Sequence, residues 1–197
     1  MIAAAVDPTS HLFWLASRSL GIVALLLTSA SVGFGLALST RIGKRPGVAA
    51  RFKVLHEAVA LVSVGAIAGH GLLLLGDGFL RPTVAEIAVP FTMPVNPLWT
   101  GLGVIAGWLA LAFTLSFYVR SSIGTALWRK LHRWTGIVFV LGLAHAIGSG
   151  SDTRSTWLIA MLALAAAPVA FLGSLRLTGL RPSARTAGVR AAPPVAR

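Results

Sequence analysis

Histidine is the residue type in this chain best suited to hold a metal, because the sequence has five histidines and no cysteine. Without thiols, disulfides, iron–sulfur clusters, thiolate zinc sites and CxxCH haem attachment are all excluded. His56 and His70 lie fourteen residues apart in one apolar stretch, His132 and His145 thirteen apart in another, and His11 stands alone near the start. An ionisable side chain inside such a stretch is expensive and marks a functional site. A single one could merely bridge helices by a hydrogen bond. Four at matched depths point instead to shared ligands.

Depth pairs them. His56 and His132 both follow strongly basic segments, while His70 and His145 lie toward the far ends of their stretches. In helices the separations are about 21 Å and about 19.5 Å, so His56 faces His132, His70 faces His145, and the two rungs are nearly level. Each rung offers two neutral imidazoles with no thiolate or carboxylate beside them to complete a zinc or facial-triad shell. An iron porphyrin supplies four equatorial nitrogens and needs only two axial ligands. The expected cofactors are therefore two haem b groups with bis-histidine iron, a coordination without an open position that favours electron transfer over oxygen binding at the metal.

The elements that must carry these residues follow from hydropathy. The chain is 56% hydrophobic and 11% charged, a balance suited to a lipid bilayer. Five segments, roughly 12–38, 54–75, 98–119, 134–149 and 157–175, approach the 20 or so apolar residues that cross a bilayer as helix. Continuous Leu/Ala/Val runs lack the alternation of a membrane barrel. The expected fold class is an all-α integral membrane protein, a five-span bundle enclosing two stacked haems. The net charge of +12 does not form a nucleic-acid stripe; the basic residues cluster after spans one, three and five, while four of the five acids, Asp7, Asp77, Glu86 and Asp152, lie on the other side. By the positive-inside rule the N-terminus is outside and the C-terminus cytoplasmic.

Glycine at 65, 69, 71, 136, 142 and 148 would let a macrocycle approach the two histidine-bearing helices, with close helix packing as the competing explanation. Arg18, inside span one, needs a counter-charge or a route to the interface; a haem propionate or snorkelling would serve. Span four poses an angular problem. At about 100° per residue a fourteen-residue step falls about 40° short of four turns, but a thirteen-residue step falls about 140° short. Either a turn near Gly136 or Gly142 departs from ideal helix, or the haems are offset with Val138 and Phe139 in the gap.

The longest connection, GDGFLRPTVAEIAVPFTMPVNP, carries four prolines and should form a lid with one or two helical turns near Val84 to Val89. Residues 1–175 read as the membrane domain and 176–197 as a disordered basic cytoplasmic tail that can meet anionic lipid. The opening MIAAAVDPTSH lacks a basic n-region followed by a short apolar core, so no cleaved leader is expected.

Over about residues 12–175 the sequence resembles the ferric reductase-like transmembrane domain, shared by ferric reductases, NADPH oxidases and the haem subunit of the bacterial methionine sulfoxide reductase system. The resemblance rests on HEAVALVSVGAIAGH with WRKLHRWTGIVFVLGLAHAIGSGSD, and on AEIAVPF before span three. It implies a bacterial plasma membrane location, with His56 and His132 on the inner haem, His70 and His145 on the outer haem, and Arg18 near the outer haem. Larger members continue into a flavin- and nicotinamide-binding module. No strand–glycine-loop–helix pattern is found here, so the expectation is an oxidoreductase component needing a separate donor, a cytoplasmic flavoprotein dehydrogenase or membrane quinol.

Three functions compete: an electron-transfer subunit passing electrons to an outer acceptor such as ferric chelate, oxygen or a partner enzyme; a quinol-oxidising haem subunit feeding an extracytoplasmic repair reductase; and a non-catalytic haem-binding anchor. The topology is checked by reporters fused after residue 197. Green fluorescent protein is expected to fluoresce there and alkaline phosphatase to stay inactive; the reverse pattern overturns the assigned sidedness.

Overall fold

The computed structural model describes residues 11–40, 47–150 and 152–178. In chain order the helices are α1 (Leu12–Ser39), α2 (Val48–Leu74), α3 (Val84–Ala88), α4 (Pro97–Ser116), α5 (Arg120–Ile123), α6 (Thr125–His132), α7 (Gly136–Ser149) and α8 (Thr156–Leu177). There are no strands among the described residues. Four helices, α1, α2, α4 and α8, are long and apolar enough to cross a membrane, and only a minority of their side chains are buried within the bundle. Exposed Val54, Leu72, Leu164 and Phe171 turn apolar surface outward, which an apolar solvent tolerates and water does not. The described residues are thus all-helical, with four helices suited to cross a bilayer.

The fourth expected span, 134–149, is a single helix but is not among the helices long enough to cross a membrane. Gly136–Ser149 is 14 residues, about 21 Å of rise, short of a bilayer core. It is joined to α6 by a turn at residues 133–135. Elsewhere the boundaries move modestly. The second helix begins at Val48, so Arg51 and Lys53 lie on it; α4 ends at Ser116; and α8 runs to Leu177, past the expected start of the tail at 176. Residues 179–197 of that tail, and its expected disorder, lie outside the described residues.

Helix α1 is the hub, packing against α2, α7 and α8, while α4 packs on α2 and α7. Its contact with α2 is antiparallel and recurs every seven residues: Ser17 bonds to His70, Ser63 to Ala24, and Ser31 to His56. Every pair of numbers sums to 87. A seven-residue recurrence on both helices is the repeat of a left-handed pair, which removes about 20° of drift per heptad. Over two heptads that absorbs the 40° by which the His56–His70 step misses four turns. On the other flank, Leu25, Phe139, Leu158, Leu162 and Ala165 form one buried cluster joining α1, α7 and α8. Phe139 belongs to that cluster, packed with Leu25 of α1 and with Leu158, Leu162 and Ala165 of α8.

Ala165 is 2% exposed, and its carbonyl accepts a 2.6 Å bond from Ser29 Oγ, fastening α8 to α1 three residues before Pro168. Close approach here requires a small side chain. Ala165→Leu is expected to cost about 1–3 kcal/mol through overpacking, measured as a lower thermal midpoint in detergent. An unchanged midpoint would mean that α8 docks loosely.

Candidate haem-ligand rungs

The turn between α6 and α7 is where the chain resolves the thirteen-residue step. The N–H groups of Trp134, Thr135, Ile137 and Val138 donate to carbonyls three residues back, at Leu131, His132, Trp134 and Thr135. Three residues at about 120° and 2.0 Å each lengthen the step to about 21 Å and cut the angular deficit from about 140° to about 80°. The axial separation now equals that of α2. Gly136 begins α7 at this point, as the local departure from ideal helix near Gly136 requires.

The four histidines form two facing pairs. The His56 and His132 ring centroids lie 5.8 Å apart at the basic end of the bundle, and those of His70 and His145 lie 6.0 Å apart at the lid end. Two imidazoles bound through nitrogens at about 2 Å to opposite sides of one metal ion have centroids about 6.3 Å apart. Both rungs sit within a few tenths of an ångström of that span. Ring planes cross at 83° and 70°, an angle that rotation about the ligand axis leaves free. Among the described residues no group of three or more His, Cys, Asp or Glu is placed to hold a metal ion.

Three imidazoles are oriented in one way. His56 Nδ1 lies 2.8 Å from the Ser31 carbonyl, His70 Nδ1 2.8 Å from the Ser17 carbonyl, and His145 Nδ1 2.9 Å from the Trp99 carbonyl. A carbonyl can only accept, so Nδ1–H donates and Nε2 keeps its lone pair. This backbone anchor fixes the tautomer and aim of metal-ligating histidines. The serines add a second tie, with Ser17 Oγ donating to the His70 carbonyl at 2.8 Å and Ser31 Oγ to that of His56 at 3.5 Å.

Each accepting carbonyl already serves its own helix and is reachable only if the side chain four residues on is missing. Helical side chains lean toward the N-terminus and cover the preceding turn. Glycine stands at that position in all three cases: Gly21 after Ser17, Gly35 after Ser31, Gly103 after Trp99. A Cβ there would lie 3.0 Å from His70 Nδ1, 3.3 Å from His56 Cε1 and 2.6 Å from His145 Nδ1. Reading by sequence missed these residues because it looked for clearance on the histidine-bearing helices. The available signal was the period: Ser17, Ala24, Ser31 and Gly21, Thr28, Gly35 are two seven-residue series of small residues on α1.

The expected glycines divide. A Cβ at Gly69 would come within 2.8 Å of Leu20 and one at Gly71 within 3.1 Å of Ile87, while Gly148 abuts the Trp99 indole, so these three serve side-chain packing. A Cβ at Gly142 would make only ordinary contact with Leu25 at 3.8 Å, and one at Gly65 or Gly136 would meet nothing within 4 Å.

His132 differs. Its Nδ1 is buried without a hydrogen-bond partner, and its ring instead stacks on Trp128 at 4.8 Å and 24°. Trp128 is held by a 3.1 Å bond from Nε1 to Ser116 Oγ and by the Phe117 ring. Arg18 Nη2 pairs with Asp152 Oδ2 at 2.5 Å, and its guanidinium lies over Trp14 and Trp157. Asp152 thus supplies the counter-charge for which a propionate was a candidate. His11 lies apart from both rungs, in the lining of a cavity of about 370 Å³ with Trp14, Asp77 and Phe79. Asp77 is 2% exposed; Oδ2 accepts the Leu80 N–H, and Oδ1 has no partner.

The lid is built as its composition requires. Thr83 Oγ1 accepts the Glu86 N–H and Glu86 Oε2 accepts the Thr83 N–H, a capping box that starts α3. The Thr83 N–H and, second to it, the Thr83 hydroxyl both donate to Glu86 Oε2 and hold the Glu86 carboxyl below the usual carboxylate range. Trp108 Nε1 donates to the Ala88 carbonyl at 2.7 Å, and Ile87 rests on Gly71 next to His70.

Replacing Gly21, Gly35 or Gly103 by valine is expected to detach only the histidine facing it. The measurement is the slowly exchanging imidazole Nδ1–H resonance of that histidine, lost while the other two persist; loss of all three together would mean that the glycines act through general packing. No family model, curated protein or solved structure matches this chain, so the functional reading rests on the geometry of the two rungs.

Proposed function

We propose that this chain is a b-type di-haem subunit that carries electrons across a membrane from the cytoplasmic side to an outer acceptor. The reading takes α6 and α7 together as the remaining crossing, with the N-terminus outside and the C-terminus inside. It treats the chain as a relative of the ferric reductase-like transmembrane family. The observation that carries it is the pair of opposed imidazoles at two levels, at a bis-ligated metal spacing, with Nδ1 of three of them donating to backbone carbonyl. Bound haem iron would supply a one-electron redox couple with no open coordination position.

The chain's own residues then have defined tasks. His56 and His132 hold the inner group, and His70 and His145 the outer one. Ser31, Ser17 and Trp99 fix three of the four rings through their carbonyls, while Trp128 positions the fourth. Helix α3 keeps water from the outer rung. Arg18, the residue after Ser17 on α1 and held by Asp152, would offer its charge to a propionate of the outer group. The donor is a cytoplasmic flavoprotein or quinol.

A second reading, oxidation of quinol at the outer face to feed an extracytoplasmic repair reductase, is favoured by one observation: the outer cavity between Trp14 and Phe79 is lined by Asp77, whose buried Oδ1 has no partner. A quinol there would give up two electrons and two protons, the carboxylate taking one proton and His11 the other. Asp77→Asn should then slow quinol-dependent haem reduction but leave reduction by dithionite unchanged. Equal rates in the variant remove this reading.

Pyridine haemochrome against protein mass is expected to give two haems per chain. His145→Ala or Gly103→Val should halve the ratio, and His56→Ala should remove the other half. A wild-type ratio near one, or loss of both haems in every variant, would overturn the two-rung assignment.

A further inference from the structure

At the basic end of the bundle, α1, the α6–α7 turn and α8 part around a cavity of about 610 Å³. Leu36, Trp134 and Leu177 form its apolar wall, and Lys130, Arg133 and Arg176 bring three cations to its rim. None of the three makes an ion pair, the single one among the described residues being Arg18–Asp152 at the opposite end. Residues 41–46 and 179–197, which follow α1 and α8 in the sequence, contain arginine and lysine but no Asp or Glu. Glu57, the one acid not assigned to the opposite side, accepts a bond from Tyr118 beyond α4. Three like charges around one cavity repel one another, and an anion from outside the chain would relieve that repulsion.

The cavity is not part of the histidine cleft. His132 turns its ring toward His56 of α2, whereas no described residue of α2 or α4 lines this cavity, which lies on the α8 side of α1 and α7. Its setting names the ligand class. It lies at the ends of two membrane-length helices, beside Trp134 and Leu177, which are 70% and 88% exposed, and above exposed Phe171 on α8. Cations at the level of a headgroup, with apolar surface running away from them along a spanning helix, match the two halves of a phospholipid.

We propose that this cavity binds one anionic phospholipid, its phosphate among Lys130, Arg133 and Arg176 and its acyl chains along α8. The inference rests on α1 and α8 crossing a membrane and is independent of haem.

The full chain, purified in neutral detergent, is examined by native mass spectrometry with added phosphatidylglycerol or phosphatidylcholine. One phosphatidylglycerol per chain is expected to be retained, and phosphatidylcholine at least tenfold less. The double variant Arg133→Gln with Arg176→Gln should lower phosphatidylglycerol occupancy about tenfold, whereas Arg154→Gln, at the far end, should not change it. Because the double variant could fail to fold, wild-type binding is also measured while sodium chloride rises from 0.1 to 0.5 M; affinity should fall several-fold. Equal retention of both lipids, salt-independent retention, or full occupancy in the double variant would overturn the proposal. Displacement of phosphatidylglycerol by millimolar inorganic phosphate would overturn the lipid in favour of a free phosphate. Haem content does not enter the readout, so failure here and failure of the electron-transfer reading are told apart.

Discussion

An imidazole placed inside an apolar bundle has one N–H that water cannot satisfy, and the rest of this structure is organised around finding it an acceptor. Every backbone carbonyl of a helix interior already receives one bond, but its oxygen has a second lone pair. That lone pair is normally covered by the side chain four residues on. Deleting the side chain uncovers it, at a cost of about 1 kcal/mol in helix propensity for glycine. The chain does this three times, at Gly21, Gly35 and Gly103, and each exposed carbonyl takes one histidine N–H. The helices must approach closely for these bonds to form, which is why α1 presents serine, alanine, glycine and threonine to α2 in place of larger residues.

How much of this is legible in the sequence depends on the length scale of the signal. Histidine pairing follows from depth along apolar runs, and depth depends only on counting residues from the basic segments. The lid helix follows from Thr83, Glu86 and the prolines around them. The carbonyl anchors do not follow, because a sequence does not state which helix lies against which; glycines on α1 and α4 become meaningful only when α2 and α7 are set beside them. The same blindness assigned Gly69 and Gly148 to cofactor clearance when their neighbours are Leu20 and Trp99. Span four was legible as a contradiction: a thirteen-residue step cannot face one direction in an ideal helix, and the turn at residues 133–135 relieves part of the misfit.

The two ends of the bundle are held by different means. At the lid end, both imidazoles donate to backbone, Arg18 is fixed between two indoles and Asp152, and α3 is capped and bonded to Trp108. At the basic end His56 also donates to backbone, at Ser31, but its partner is held by stacking: His132 on Trp128, Trp128 against Phe117. Stacking restrains a ring less directionally than a hydrogen bond to a helix carbonyl. The more adaptable ligand thus lies where the chain has its break between α6 and α7.

The seven-residue register of α1 against α2 makes the chain a ruler graduated in steps of about 10.5 Å, the rise of one heptad. Histidines occupy the first and third marks, and Ser63 occupies the second, facing Ala24 and Thr28. Lengthening or shortening both helices by whole heptads would preserve every pairing and change the reach of the stack by that increment. Any other insertion would turn one imidazole away from its carbonyl. Spacing between the two levels is therefore discrete, and variation in length among chains built on this plan should come in multiples of seven.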